Sequence, residues 1–192
     1  RIKIKKYERG AKMKIYIVRH GQTKCNIENK YNCRLDEDIN EMGIEQAKQA
    51  REKVKKLNID LIICSPMKRT KHTCEIINVN NIPVIYDDRL IERDGGILTN
   101  TSIDDYYFKE YYNYYSDNVV DGLETLPDLF KRTHSFLDEI KEKYYDKNIL
   151  LVTHGAVARA MQFYFEELPE DGMLLNVSGL KNCEIKEYEL WN

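Results

Sequence analysis

Residues 14–21 read Lys-Ile-Tyr-Ile-Val-Arg-His-Gly, an apolar run that stops at a basic pair and a glycine. The four residues before the arginine are β-branched or aromatic, which favours a buried strand. The pattern returns at residues 149–155, which read Ile-Leu-Leu-Val-Thr-His-Gly. Each predicted strand therefore ends at a histidine, His20 or His154. The glycine that follows each histidine lets a ligand approach the backbone closely.

Segments of strand length alternate with segments of helical period along the rest of the chain. Strands are predicted at 14–18, 59–64, 84–86, 149–152 and, as a closing edge strand, 182–188. Helices are predicted at 44–57, 67–77, 126–145 and 156–165. Buried strands without polar alternation favour a parallel sheet covered on both faces. We therefore expect an α/β fold, a three-layer α/β/α sandwich with a mostly parallel central sheet, in a single domain over residues 13–192.

The composition is that of a globular protein. Of the 192 residues, 42% are hydrophobic and 32% are charged, and 30 basic against 32 acidic residues give a net charge of −2. This balance lacks the basic signature of a nucleic-acid-binding protein. No apolar run approaches the ~20 residues that a membrane-spanning helix needs. The five cysteines form no Cys-x-x-Cys pair, which favours a reducing, cytoplasmic location.

Charge is distributed unevenly along the chain. Residues 1–14 hold seven basic residues and one glutamate; we favour an N-terminal extension over 1–12 above an anchor to an anionic surface. Residues 99–128 hold seven acidic residues and one lysine, a net charge of −6, and include a tyrosine-rich run at 106–115. The acidic neighbours argue against base stacking by these rings. The run is expected to be a helix packed over the sheet edge, a lid over the site, or both.

Polar residues follow the predicted strands at equivalent places. Ligands of open parallel sheets bind beyond the carboxyl ends of the strands, so His20 and His154 are expected to face each other there. Arg19 adjoins the first histidine, Arg69 lies in the first turn of a predicted helix, and Glu92 follows the third strand. Arginines and a helix N-terminus together favour a phosphate. A zinc site lacks the usual spacing of a second ligand pair, so we expect no metal.

Six segments resemble, in order, the motifs of the histidine phosphatase superfamily, in its phosphoglycerate-mutase-like branch 1. They read R-H-G-Q-T-K-C-N at 19–26, D-E-D-I-N-E-M-G-I-E-Q-A at 36–47, C-S-P-M-K-R-T-K-H-T at 64–73, L-I-E-R-D-G-G at 90–96, D-G-L-E-T at 121–125 with Arg132, and V-T-H-G at 152–155. The resemblance extends from Met13 to Tyr188. It is strongest to small phosphatases of the α-ribazole phosphatase and broad-specificity types, and it implies a phosphoglycerate-mutase-like fold.

The resemblance also implies a role for each matched residue. His20 would be the nucleophile that becomes a phosphohistidine, and Glu92 would protonate the leaving oxygen and then take a proton from water. The implied phosphate-binding residues are Arg19, Thr23, Asn26, Arg69, Gly155 and a protonated His154. So many fixed donors would require no metal or other cofactor.

Three positions depart from the family's pattern. Cys33 stands where many members have glycine, Asn40 stands where they have threonine, and Thr99-Asn100 replaces an acidic residue followed by glycine. None of these changes removes an implied catalytic group. They bear on the geometry of the substrate side of the site.

The resemblance leaves three functions open. The first is a metal-independent phosphomonoesterase that acts through a phosphohistidine on a small phosphorylated metabolite. The second is a cofactor-dependent phosphoglycerate mutase, whose motif Glu92-Arg93 resembles, and the third is a non-catalytic phospho-ligand-binding protein. The intact catalytic set argues against the third, and the acidic segment 99–128 favours the first because it suits a leaving group with little negative charge. We expect no nucleic-acid or membrane partner and leave a homodimer open.

Overall fold

A computed structural model describes residues 12–116 and 120–191, so most of the predicted N-terminal extension lies outside the described residues. The strands are β1 (Lys12–Arg19), β2 (Leu61–Cys64), β3 (Val84–Tyr86), β4 (Ile149–Thr153) and β5 (Ile185–Trp191). The helices are α1 (Lys24–Ile27), α2 (Glu41–Val54), α3 (Lys68–Ile77), α4 (Asp105–Tyr111), α5 (Leu126–Lys143) and α6 (Gly155–Phe165). Short 3₁₀ turns lie at Asp88–Leu90, Gly96–Leu98 and Leu174–Asn176.

The five strands form one sheet in the order β3-β2-β4-β1-β5. The first four are parallel to their neighbours, and β5 pairs antiparallel with β1 at the edge. Arg19, the last residue of β1, pairs with Thr153, the last residue of β4. His20 and His154 therefore leave the sheet side by side. The predicted mostly parallel sheet and its closing edge strand are confirmed.

The central strand β4 shows why these strands carry no polar alternation. Ile149 and Leu151 pack in a core with residues of α5 and α6, whereas Leu150 and Val152 pack in a second core with residues of α2 and α3. All four side chains have no exposed surface. Both faces of the sheet are covered by helices, which confirms the three-layer sandwich.

Side-chain capping decides where two helices begin. α2 begins at Glu41, three residues before the predicted start, because the Asn40 side chain accepts a hydrogen bond from the Gly43 amide at 2.8 Å. α5 begins where it was predicted, after Thr125, whose Oγ1 accepts from the Asp128 amide at 3.1 Å. The first start was predicted too late because hydrophobic periodicity does not detect a polar first turn.

The loop after β1 and the start of α2 touch backbone to backbone. A Cβ atom on Gly21 would lie 2.6 Å from the carbonyl oxygen of Gly43, and one on Gly43 would lie 2.4 Å from that of Gln22. Neither contact is sterically tolerable. Gly21 therefore permits the packing of α2 against the loop that carries the first histidine, a role different from the ligand approach expected from the sequence.

The cysteines behave as small apolar side chains. All five are buried and unpaired. Burial raises the pKa of the Cys25 and Cys33 thiols to about 11, so both remain protonated near neutral pH. In a separate respect, no helix within residues 12–116 and 120–191 is long and apolar enough to cross a bilayer.

Candidate active site

A cavity of about 460 Å³ opens beyond the carboxyl ends of β1 and β4. Five of the eight predicted site residues line it: Arg19, His20, Asn26, Glu92 and Gly155. The other three are fully buried and are not on its wall: Thr23, Arg69 and His154. The sheet topology thus brings the predicted residues to one place, but in two layers.

His20 is held as a neutral imidazole with one nitrogen available. Its Nδ1–H donates to the carbonyl oxygen of Gly21 at 2.7 Å, which leaves the proton off Nε2. Burial, followed by the positive charges of Arg69 and Arg19, lowers the pKa of His20 well below its ordinary value of 6.5. The residue is only 2% exposed yet lines the cavity. A neutral ring with a fixed tautomer and an unprotonated Nε2 is what nucleophilic attack requires.

His154 lies behind His20 and is also neutral. The two ring centroids are 5.3 Å apart. Arg69 donates from Nε to Nδ1 of His154 at 3.1 Å, and Nε2 lies 2.8 Å from Oγ of Ser65, to which it donates. Burial, Arg69 and His20 lower the pKa of His154 well below 6.5. Nδ1 accepts a hydrogen bond in a buried, positively charged setting, which favours the neutral ring. The expectation of a protonated His154 that holds a phosphate stays a prediction.

Arg69 is buried, and each of its three guanidinium nitrogens donates a hydrogen bond within the protein. Besides the bond to His154, Nη1 donates to the carbonyl oxygen of Leu35 and Nη2 to that of Cys33, both at 2.7 Å. The structure therefore does not place Arg69 in direct reach of the cavity. Its charge nevertheless lowers the pKa of His20, so it keeps the nucleophile unprotonated.

Arg19 carries an unsatisfied cationic donor beside the cavity. Its Nη1 donates to the carbonyl oxygen of Leu180 at 3.0 Å, but Nε is buried without a hydrogen-bond partner. A Cβ atom on Gly155 would lie 3.5 Å from Nε, so the guanidinium lies against the start of α6. A buried cationic donor without a partner, beside a cavity, is suited to receive an anion.

Thr23 and Asn26 form the capping box of α1. Oγ1 of Thr23 accepts from the Asn26 amide at 3.4 Å and from Nδ2 of Asn32 at 3.0 Å, and the Thr23 amide donates to Oδ1 of Asn26 at 3.1 Å. Thr23 is fully buried and does not reach the cavity. It shapes the loop, whereas Asn26 lies on the wall.

Glu92 lies between the cavity and the N-terminus of α6. It is 8% exposed, and its carboxylate accepts from the amides of Ala156 and Val157 at 3.3 Å each and from the Arg93 amide at 3.0 Å. Thr153 holds the segment before it by donating from Oγ1 to the carbonyl oxygen of Leu90 at 2.9 Å. The carboxylate is thereby fixed in a position facing the same cavity as His20, as an acid–base group must be.

The described residues form no cluster of metal-binding side chains. Within the part of the chain that the structure describes, no group of three or more histidine, cysteine, aspartate or glutamate side chains is placed to hold a metal ion. The expectation that the reaction uses no metal stays a prediction, which a chelator can test.

The sequence matches a known family over nearly all of its length. Residues 15–192 match the histidine phosphatase superfamily (branch 1). The chain belongs to this superfamily.

Relatives and structural neighbours agree with this membership. The chain is 34% identical to the uncharacterized phosphatase PhoE of Bacillus subtilis over 148 residues, which are 77% of this chain and 74% of that protein. It is 30% identical over 156 residues to phosphoserine phosphatase 1 of Hydrogenobacter thermophilus, covering 78% and 74%. It is 33% identical over 150 residues to the probable phosphoglycerate mutase GpmB of Salmonella choleraesuis, covering 74% and 70%. The solved structure of Bacillus stearothermophilus YhfR has a TM-score of 0.82 at 22% identity, covering 91% and 90%.

The departures from the histidine phosphatase pattern keep the local backbone. Cys33 has a φ of +45° and Asn100 a φ of +65°, in the left-handed region where glycine is favoured, and glycine is the residue usual at both places. Asn40 replaces threonine as the N-cap of α2, a position that both residue types fill. The carbonyl oxygen of Cys33 accepts from Arg69, so this strained residue also holds the arginine.

Sequence reasoning missed the cavity wall formed by residues 179–182 and Arg159. Arg159 donates from Nη1 to the carbonyl oxygen of Leu174 at 2.6 Å and lies over the ring of Tyr112, 5.2 Å from its centroid. The i,i+4 spacing from Gly155 along α6 could have pointed to Arg159. No local pattern marks 179–182, because that segment reaches the site only through the pairing of β5 with β1.

Aromatic rings form the opposite wall of the cavity. Tyr31, Phe108, Tyr111 and Tyr112 line it together with Ile103. The rings of Tyr31 and Tyr111 are 5.2 Å apart, and those of Tyr111 and Tyr112 are 4.9 Å apart. α4 therefore packs in a cluster with Tyr31 and Cys33 and forms part of the cavity wall. Its packing over the sheet edge and its role as a lid stay predictions.

Among the acidic residues of segment 99–128 whose side chains the structure describes, none lines the cavity. Glu124 pairs with Arg132, and Asp128 caps α5. Besides Glu92, the charged residues on the wall are all basic: Arg19, Lys30, Arg159 and Lys181. The carboxylates of Glu110, Asp128 and Glu124 bond to other groups of the protein, and the expectation that this segment favours a leaving group with little negative charge stays a prediction.

Arg93 is likewise turned away from the cavity. It is 3% exposed, its Nε donates to the carbonyl oxygen of Glu124 at 2.7 Å, and its Nη1 donates to that of Tyr111. Its guanidinium carbon lies 4.1 Å from the centroid of the Tyr111 ring. The Glu92-Arg93 pair therefore resembles the mutase motif in sequence, but the guanidinium of Arg93 does not lie on the cavity wall.

Proposed function

We propose that this chain is a metal-independent phosphomonoesterase that acts on a small phosphorylated metabolite through a phosphohistidine at His20. The observation that carries the proposal is the state of His20: a neutral ring, with Nδ1–H bonded to the Gly21 carbonyl and an unprotonated Nε2. The ring lies beside the unpartnered Nε of Arg19 and shares the cavity with Glu92. A nucleophile, an anion-binding donor and a proton donor therefore line one cavity.

The proposed reaction has two steps. Nε2 of His20 attacks phosphorus, the bond from phosphorus to the leaving oxygen breaks, and Glu92 gives its proton to that oxygen. Water then attacks the phosphohistidine, Glu92 takes back a proton, and the bond between nitrogen and phosphorus breaks to release phosphate. Arg19 and Asn26 bind the non-bridging oxygens and stabilise the charge of the transition state.

Arg69 and His154 would complete the phosphate site from behind His20. In the structure Arg69 donates to Nδ1 of His154. We propose that the phosphate oxygens replace this acceptor, and that the adjacent dianion favours the protonated form of His154. Both residues would then donate to phosphate, as the resemblance to the family implies.

The alternative function is a phosphoglycerate mutase, which the similarity to GpmB supports. The position of Arg93 argues against a mutase. Its guanidinium packs against Tyr111 and is not on the cavity wall, so the arginine of the mutase-like motif does not face the substrate. The aromatic wall suits an apolar or neutral leaving group. Lys181 and Arg159 lie on the cavity wall and would tolerate an additional carboxylate on the substrate, so the charge of the substrate does not distinguish the two functions. They differ in whether the phosphoryl group is hydrolysed or transferred.

Both reactions can be measured on one preparation. We expect hydrolysis of p-nitrophenyl phosphate and of at least one natural monoester from a panel of phosphoserine, nucleoside phosphates and sugar phosphates. Interconversion of 3- and 2-phosphoglycerate should be at least about tenfold slower, even with bisphosphoglycerate primer. The activity of Glu142→Gln, a substitution of an exposed residue on α5, serves as the control for preparation quality. Mutase turnover that exceeds hydrolysis would establish the alternative.

Hydrolysis should be unaffected by EDTA, because Arg19, Arg69 and a His154 protonated beside the bound phosphate supply the positive charge that a metal would otherwise supply. Vanadate, which adopts the five-coordinate geometry of phosphoryl transfer, should inhibit competitively. The measurement is the rate before and after dialysis against chelator, with inhibition by vanadate as the control for an intact site. A rate that disappears in chelator and returns with zinc or magnesium would contradict metal independence.

A further inference from the structure

Asn182 lies on the cavity wall and contacts two residues of the site. Its Nδ2 amino group donates to the backbone carbonyl oxygen of His20 at 3.0 Å and to Oδ1 of Asn26 at 3.2 Å. The side chain is half-buried. An asparagine amino group has two hydrogens, so these two bonds use both of them. Asn182 therefore serves the protein and has no further hydrogen to offer a substrate.

The contact with Asn26 decides which end of that amide meets an anion. Oδ1 of Asn26 receives the Thr23 amide at 3.1 Å and the Asn182 amino group at 3.2 Å. Two donors on the oxygen fix the amide in one of its two orientations. The donor end, Nδ2, is then the end available to an anion in the cavity. The opposite orientation would present an oxygen lone pair to a phosphate oxygen, which is repulsive.

The turn that carries Asn182 is fixed to β1. The Cys183 amide donates to the carbonyl oxygen of Arg19 at 2.9 Å, and Cys183 has a φ of +57°. On the other side of the turn, the carbonyl oxygen of Leu180 accepts from Nη1 of Arg19 at 3.0 Å. Asn182 is thus held in register with the end of β1 before any ligand arrives, as a positioning group must be.

We propose that Asn182 is a positioning residue of the phosphate site, which orients Asn26 so that its amide donates to the bound phosphate, while the bond to the His20 carbonyl anchors Asn182 itself. The reaction that it would serve rests on the proposed function. The orientation itself is measurable as affinity for vanadate, without turnover. A residue that acts through Asn26 must lose its effect when Asn26 is removed.

The test is a double-mutant cycle of Asn26→Ala and Asn182→Ala, with vanadate binding measured by calorimetry and unfolding midpoints measured in parallel. Asn182→Ala removes the donors without adding charge, and we expect about tenfold weaker binding. Asn26→Ala should weaken binding by tenfold or more, and the double variant should bind within about twofold of Asn26→Ala alone. Asn58→Ala is the matched control: Asn58 is exposed and precedes the amino end of β2, whereas the site lies beyond the carboxyl ends of the strands. Its affinity should equal that of the wild type.

The outcomes separate the inference from the proposed function. Independent effects of the two substitutions, or unchanged vanadate affinity in Asn182→Ala, would overturn the positioning role. If Asn182→Ala does not fold, Asn182→Ser, whose hydroxyl cannot reach both acceptors, takes its place in the cycle with the same expectations. Coupled vanadate binding in a protein that hydrolyses no phosphomonoester would support the positioning role and refute the proposed function. Hydrolysis of a phosphomonoester, together with independent effects of the two substitutions on vanadate binding, would support the proposed function and refute the positioning role.

Discussion

His20→Ala is expected to reduce phosphomonoester hydrolysis by about 10⁵-fold, because the substitution removes the nitrogen that takes the phosphoryl group. The structure makes His20 a prepared nucleophile, since its Nδ1–H is bonded to Gly21 and its lowered pKa keeps Nε2 unprotonated near neutral pH. Wild-type protein stopped during turnover with denaturant at alkaline pH should carry one acid-labile phosphate. Mass spectrometry of the digested protein should place it on the peptide that contains His20.

The matched control for this experiment is His72→Ala. His72 lies on α3, partly exposed, with its Nδ1 3.0 Å from Oδ1 of Asp38 and outside the cavity. Its replacement should leave turnover within about twofold of the wild type. Substantial hydrolysis by His20→Ala, or label found on another residue, would refute the phosphohistidine mechanism.

Glu92→Gln is expected to slow hydrolysis of an alkyl phosphate by about 10²- to 10⁴-fold, the usual contribution of a general acid. p-Nitrophenyl phosphate has a leaving group that needs no proton, so its first step should be much less affected. The second step uses Glu92 as the base for water with either substrate. The variant should therefore release one equivalent of nitrophenolate in a burst and then accumulate phosphohistidine.

Rapid mixing with absorbance at the nitrophenolate band measures the burst, and phosphohistidine is measured on the stopped protein. Glu142→Gln, the exposed substitution on α5, should show neither effect. Equal slowing of both substrates without a burst would contradict the acid–base role of Glu92 and would indicate that it only holds the start of α6, where its carboxylate accepts from Ala156 and Val157.

The layered fold could be predicted from the chain because its cause is local. The apolar residues of β4 show that both of its faces are buried. The helical periods of α2 and α5 show which side of each helix is buried, and the connection rules for parallel sheets allow few arrangements that bury all of these surfaces. Helix starts were less predictable. α2 begins at a side-chain cap on Asn40, and a polar first turn adds nothing to hydrophobic periodicity.

The residues of the site were predicted better than their arrangement. His20, Arg19, Asn26 and Glu92 could be named from the motifs because each follows a strand end or a conserved spacing of the family pattern. That Arg69 lies in a second layer could not be foreseen, since only the carbonyl oxygens of two loop residues and a histidine ring, packed around it, use its donors.

The chain by itself determined the parallel sheet, the two strand-end histidines and the family, because each of these follows from residue type at fixed spacing. Only the tertiary structure decided the protonation of the histidines, the partners of Glu124 and Asp128, and the place of Asn182. These depend on which side chains, distant in sequence, come within hydrogen-bond distance. The tautomer of a histidine is set by the atom to which it is hydrogen-bonded, and its pKa is set by burial and by neighbouring charges. Neither can be derived from the order of residues along the chain.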